Sequence, residues 1–172
     1  MATTDRSLRE TRLVFYEDDV EAIDAILDAF LKQSAAKCAL LVDKDGHMVT
    51  CRGKSKAIDL DTISALVAGS FAATREMAKI LGEEEFSALF HQGKSDNIQL
   101  SIVGDRALLT AIFDESTTIG MVRLYASEAA KRLAAIFRRK ETEAARETPV
   151  SGDGDAQFRV GTTGALDDLF GK

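Results

Sequence analysis

The tripeptide Gly-Lys-Ser occurs twice, at Gly53-Lys54-Ser55 and at Gly93-Lys94-Ser95. In a phosphate-binding loop it lets backbone N–H groups and a lysine meet the anion, but that loop also needs a glycine five residues before the second one. Met48 and Ala88 stand there instead, so both tripeptides read as turns and nucleotide binding by this chain is not expected. His47 and His91 are the only histidines and are read as lacking partners at metal-ligand spacing. His91, in Phe90-His91-Gln92-Gly93, either orients its loop through a hydrogen bond or is merely exposed. Cys38 and Cys51 are too few for a structural zinc site. They lie on apolar runs either side of a turn, nearly opposite one another, and are expected as buried thiols in a reducing compartment, with a disulfide between them as the alternative. No Gly-x-Ser-x-Gly elbow and no paired nucleophile and base stand out. The expectation is a chain with no catalytic residue, metal or cofactor of its own.

The bulk properties agree with a regulatory or binding domain. A chain of 172 residues suffices for one domain with a proper core, plus tails. A net charge of −6 weighs against nucleic acid as the main partner, because phosphate contacts need a basic face. No apolar run is long enough to span a membrane. Leu13 to Tyr16 is the only apolar stretch near the start, too short for a signal-peptide core, so the cytoplasm is the expected location. Glu83-Glu84-Glu85 reads as a solvated end. Arg138-Arg139-Lys140 reads as helix-terminal charge, with a site for an anionic surface as the alternative.

The spacing of apolar residues predicts the supporting elements. Val20, Ile23, Ile26, Leu27, Phe30 and Leu31 repeat at helical intervals over 18–33. Strands are expected at 38–43 and 47–53, joined by the turn Asp43-Lys44-Asp45-Gly46. Further strands are expected at 86–91, 98–103 and 107–113. A last helix lies within 119–147, with Val122, Leu124, Ala126, Ala129, Ala130, Leu133, Ile136 and Phe137 as its apolar face. Its start is open: Ser127 is an alternative N-cap, with 121–125 then extended.

The stretch 63–74, ISALVAGSFAAT, carries no charge. Asp59 and Asp61 precede it as N-cap candidates and Gly82 follows as a C-terminal glycine, giving a helix over 61–81. Ile63, Leu66, Val67, Phe71, Met77, Ala78 and Leu81 are expected against a sheet. Ala65, Ala68, Gly69, Ala72 and Ala73 occupy the other faces, where lysine and glutamate would be usual. A helix without a polar face must be covered on two sides. Either a second copy covers it, with these five residues as the dimer interface, or the chain wraps it.

Residues 1–13 read as a disordered extension, 14–147 as the domain, and 148–164 as a flexible linker opened by Pro149. Beyond it, Leu166, Leu169 and Phe170 stand at helical spacing within 165–172. Apolar residues on such a tether suggest a short recognition helix that folds on a partner. Docking on the chain's own domain and simple disorder are the alternatives.

Several segments carry a resemblance. ALLVDKDG (39–46), LVAGSFAAT (66–74), AKILGEEEF (78–86), FHQG (90–93), FDESTTIGMVRL (113–124) and the final LDDLF (166–170) are similar to the roadblock/LC7 family, in its MglB-type branch of bacterial gliding-motility regulators. The likeness covers residues 14–140 and matches the order helix, two strands, helix, three strands, helix. It implies an α+β fold, an α/β/α sandwich whose five-stranded antiparallel sheet carries the central helix on one face and two helices on the other. It implies a homodimer through the central helix and a neighbouring edge strand. It also implies a partner, a Ras-like small GTPase of the MglA type in its GTP form, whose hydrolysis the dimer speeds, one GTPase per dimer. Activation would order the GTPase's switch regions without an arginine finger, although Arg75 and Arg106 are finger candidates by residue type. The resemblance extends to polarity or motility and a place at a cell pole. The alternative is a scaffold dimer that holds a GTPase or polarity complex without activating it. Two features depart from the family: Thr74, Arg75 and Glu76 follow Ala73 where small residues are common, and the N-terminal extension is long.

Overall fold

The computed structural model describes residues 17–54 and 58–147. The expected extension at 1–13, linker at 148–164 and recognition helix at 165–172 lie outside the described residues. The elements are α1 (Glu17–Ser34), β1 (Cys38–Asp43), β2 (Met48–Gly53), α2 (Leu60–Leu81), β3 (Ala88–Gln92), β4 (Asn97–Val103), β5 (Ala107–Phe113) and α3 (Ile119–Glu147). Two compact units divide the chain at 139/140, and the described part of the second is the helical stretch 140–147.

The five strands form one sheet in the order β2-β1-β5-β4-β3, every neighbouring pair antiparallel. Alternation along the strands sorts the core into two layers. Ala39 and Leu41 of β1, with Ala107, Leu109, Ala111 and Phe113 of β5, meet Ile23, Leu27 and Phe30 of α1 and Val122, Leu133 and Phe137 of α3. On the opposite face, Cys38, Leu40, Val42 and Ile112 pack beneath Leu60 and Ile63 at the start of α2. Leu100 and Leu108 meet Val67 and Phe71 farther along it. β1 and β5 are buried on both faces, which explains their near-continuous apolar sequences. This is the expected α+β architecture, with one helix on one face and two on the other.

Local chemistry sets the helix ends. Asp59 caps α2, accepting from the Thr62 N–H at 3.1 Å and from its hydroxyl at 2.7 Å. These bonds hold the Asp59 carboxyl below its ordinary range. Gly82, at φ +76, closes the other end, as the sequence predicts. The Thr118 hydroxyl accepts from the Met121 N–H at 3.3 Å and starts α3 at Ile119, which corrects the alternative start at Ser127 and the extended 121–125. β3 begins at Ala88 rather than at residue 86.

Two expected apolar faces need correction. Leu66, Met77 and Leu81 do not pack on the sheet; they are 66%, 51% and 70% exposed. The buried side of α2 is instead Ser64, Val67, Ala68, Phe71, Thr74 and Ala78. Ser64 and Thr74 can face inward because their hydroxyls donate to the helix's own carbonyls, at Leu60 and Phe71. Leu124 of α3 is likewise exposed, at 61%. In mid-sheet, the Thr110 hydroxyl is buried without a partner among the described residues.

Candidate interaction surface on the central helix

The outward side of α2 carries a continuous apolar stripe. Leu66, Gly69, Ala73, Met77 and Ile80 follow one another at intervals of three and four, so they share one side of the helix. All five are exposed, Ile80 most of all at 84%. A Cβ placed on Gly69 would meet nothing within 4 Å. Contiguous exposed apolar surface of this kind marks an interaction site. The nearest charges on the helix are already paired: Lys79 donates to Glu76 at 2.8 Å and holds that carboxyl below its ordinary range.

The stripe adjoins an open sheet edge. β3 is the outermost strand on that side and pairs with β4 alone among the described residues. Leu89 turns toward α2 and joins the cluster with Val67 and Phe71. Phe90 turns the other way, stacks on Phe113 at 6.1 Å between ring centroids, and lies under the Arg123 guanidinium at 6.0 Å. His91 Nε2 is 3.5 Å from the Ser70 hydroxyl, which places its ring between the edge strand and α2. Of the two sequence readings of His91, the structure gives both: an exposed ring at the limit of a hydrogen bond.

The five residues expected at a dimer interface separate in the structure. Ala65, Gly69, Ala72 and Ala73 are exposed, whereas Ala68 is buried. The reason is the chain's own β1–β2 turn. A Cβ on Gly46 would come within 3.0 Å of the Ala65 Cα and 3.6 Å of the Ala68 Cβ. Part of the small-residue pattern therefore serves a contact within the chain. Gly69 and Ala73 serve the outer stripe. Leu66 and Met77, expected inward, join Ile80 on the outward side. Their signal is two apolar stripes on one helix where a one-sided helix needs one.

Arg75 lies on the opposite flank of α2, and Arg106 precedes β5. Arg75 lines a small hollow with Lys44, Ala68, Phe71, Ala72 and Leu108. The Arg106 carbonyl accepts from the Lys44 N–H at 3.1 Å. Leu166, Leu169 and Phe170 lie outside the described residues.

The remaining chemistry-bearing residues take structural places. His47 does have carboxylate neighbours, contrary to expectation: donor atoms of Asp43, Asp45 and His47 all lie within 4.8 Å of one another. Asp43 is committed to the turn, accepting at Oδ1 from the N–H groups of Asp45 and His47 at 3.0 and 2.8 Å. Lys37 bridges Asp96 and Asp114 at 2.7 and 2.8 Å beside a cleft of about 520 Å³ that includes Gly93, Lys94 and Ser95. The second Gly-Lys-Ser thus forms the β3–β4 turn, ahead of a strand and not of a helix.

Known proteins share this fold. The Roadblock/LC7 domain model matches residues 22–113. MglB of Myxococcus xanthus is similar at 39% identity and TM-score 0.69, over 74% of this chain and 96% of that one. The gliding protein MglB of Thermus thermophilus is 35% identical at TM-score 0.70, with the same coverage. A further MglB structure, in a tetrameric arrangement, is 35% identical at TM-score 0.71, again over 74% and 96%. No match was found among curated protein sequences. With the family model spanning the helix and all the strands that build this surface, and with MglB chains alike in both sequence and shape, the protein belongs to the roadblock/LC7 family.

Proposed function

We propose that this chain is the homodimeric activator of a bacterial Ras-like GTPase of the MglA type, acting on the GTP form in cell polarity or motility. The observation that carries the proposal is the adjacency of the α2 stripe to the free edge of β3. A second copy related by a two-fold axis can extend the sheet through β3 and cover the stripe with its own α2. The tetrameric arrangement of an MglB chain supports self-association.

The activator contributes binding energy and no catalytic atom. It favours the hydrolysis-competent arrangement of the GTPase switch regions, so the partner's own residues reach the phosphate. A finger would need an arginine held out toward the nucleotide. Arg75 instead lines a hollow on its own domain, and the Arg106 backbone is tied to the β1–β2 turn. Leu166, Leu169 and Phe170 act as a tethered second contact that raises effective concentration.

Single-turnover GTP hydrolysis by the partner, with and without this chain, tests the proposal. Acceleration is expected. Binding without acceleration would leave a scaffold dimer.

A further inference from the structure

Cys38 and Cys51 have no part in the surface described above, yet their sulfurs lie 3.4 Å apart. The register sets Cys38 opposite Gly53 and Leu40 opposite Cys51, so the two cysteines are diagonal neighbours across the β1–β2 hairpin. Both point to the α2 face, among Leu40, Val42, Ile58 and Leu60. Cys38 is fully buried, whereas Cys51 is half-buried on the outer strand.

We propose that Cys38 and Cys51 form a modification site: a dithiol that a small hydroperoxide converts to an intrachain disulfide. A disulfide needs its sulfurs about 2.05 Å apart, so the gap must close by about 1.4 Å. β2 can supply that movement, because it is an edge strand and none of its residues is buried. The chemistry has an order. Cys38 is fully buried, which keeps peroxide away from its sulfur; the same burial and the neighbouring Cys51 push its thiol up to about 12. Cys51 is the accessible partner. Its sulfur attacks the outer peroxide oxygen, the O–O bond breaks, and Cys51 becomes a sulfenic acid while an alcohol leaves with the thiol proton. The Cys38 sulfur then attacks the Cys51 sulfur; the S–O bond breaks, and the hydroxyl leaves as water with the Cys38 proton. Two thiols are oxidised by two electrons in all, and one hydroperoxide is reduced to alcohol and water. The bond would close a loop holding Gly46, the turn that rests against Ala65 of α2.

The test uses the full reduced chain, treated with stoichiometric hydrogen peroxide and read by intact mass and non-reducing peptide mapping. Expected are a mass lower by two hydrogens, a peptide joining residues 38 and 51, and recovery of both thiols with dithiothreitol. In Cys38→Ala, the sulfenic acid on Cys51 has no resolving thiol, and its trapping by dimedone should rise at least about tenfold over the natural chain. In Cys51→Ser, Cys38 should stay reduced. Oxygen added to Cys51 while Cys38 keeps its thiol, or a disulfide only between chains, would overturn the proposal. So would oxidation of Cys38 at an unchanged rate in Cys51→Ser. That variant and the mapping of the natural chain decide the matter even where Cys38→Ala fails to fold.

Discussion

Gly46 and Ala65 fit together as a backbone-to-backbone contact. The position a Cβ would take on Gly46 lies 3.0 Å from the Ala65 Cα, and Gly46 sits at φ +93. Any side chain there meets both a clash and a left-handed backbone. Gly46→Ala is therefore expected to lower stability by about 1–3 kcal/mol. Denaturant unfolding checks this, and an unchanged midpoint would show that the turn can retreat from α2.

The α2 stripe makes a contrasting prediction. Met77→Asp with Ile80→Asp changes exposed positions, so the protomer's own unfolding should move within about 0.5 kcal/mol per site once dimerisation is accounted for. Self-association should weaken at least about a hundredfold. Sedimentation at micromolar concentration reads both the natural chain and the variant. A monomeric natural chain would remove the basis for a composite platform.

Arg75→Ala and Arg106→Ala should each retain part of the proposed GTPase-activating effect. A loss of about 10³-fold in hydrolysis with binding unchanged would restore the finger mechanism. The readout must separate the two quantities, because Arg75 shares its hollow with Lys44 at the flank of α2.

Removing residues 150–172, and with them Leu166, Leu169 and Phe170, should weaken affinity for the GTPase and leave the dimer intact. Unchanged affinity would assign the tail no role in binding.

The Lys37 bridge predicts a pH profile. Its hydrogen bond holds the Asp114 carboxyl far below the usual 3.8, with the Ser116 hydroxyl and N–H adding to the effect. The same bridge, with Asp96, raises Lys37 from 10.5 to about 12. A depressed acid stabilises above its unfolded value and loses that contribution as pH falls toward its folded one. A raised base stabilises below its unfolded value and loses the contribution as pH climbs through its folded one. The link should thus be flat from about pH 4 to pH 10 and fade on both sides. Lys37→Met should lower the melting temperature across that plateau and remove the bridge's share of both limbs, measurable by thermal unfolding in buffers of equal ionic strength.

The strands and helices were legible because their signals are local. Asp59 and Gly82 bound α2, and the apolar runs CALLVD and ALLTAIF announce strands covered on both sides. The facing of α2 was less legible. Counting apolar residues assigns Leu66 and Met77 to the core and overlooks Ser64 and Thr74, whose hydroxyls are satisfied within the helix. The role of Ala68 could not be separated from that of Gly69, because the turn at Gly46 approaches from 22 residues earlier in the chain. His47 shows the same limit in reverse: Asp43 and Asp45 stand close by in sequence, but only the folded turn converges their oxygens on the imidazole.

The two borders of the sheet are chemically unlike. β3 ends it with Ala88, Leu89, Phe90, His91 and Gln92, a rim free of acids, lysine and arginine. β2 ends it with Arg52, whose guanidinium grips Asp28 of α1 at 2.9 and 2.7 Å. Charge on a border discourages further strands from joining. Growth by strand addition would then stop after one step: a pair joined rim to rim along β3 presents only its guarded β2 borders outward, a closed unit rather than the seed of a fibre.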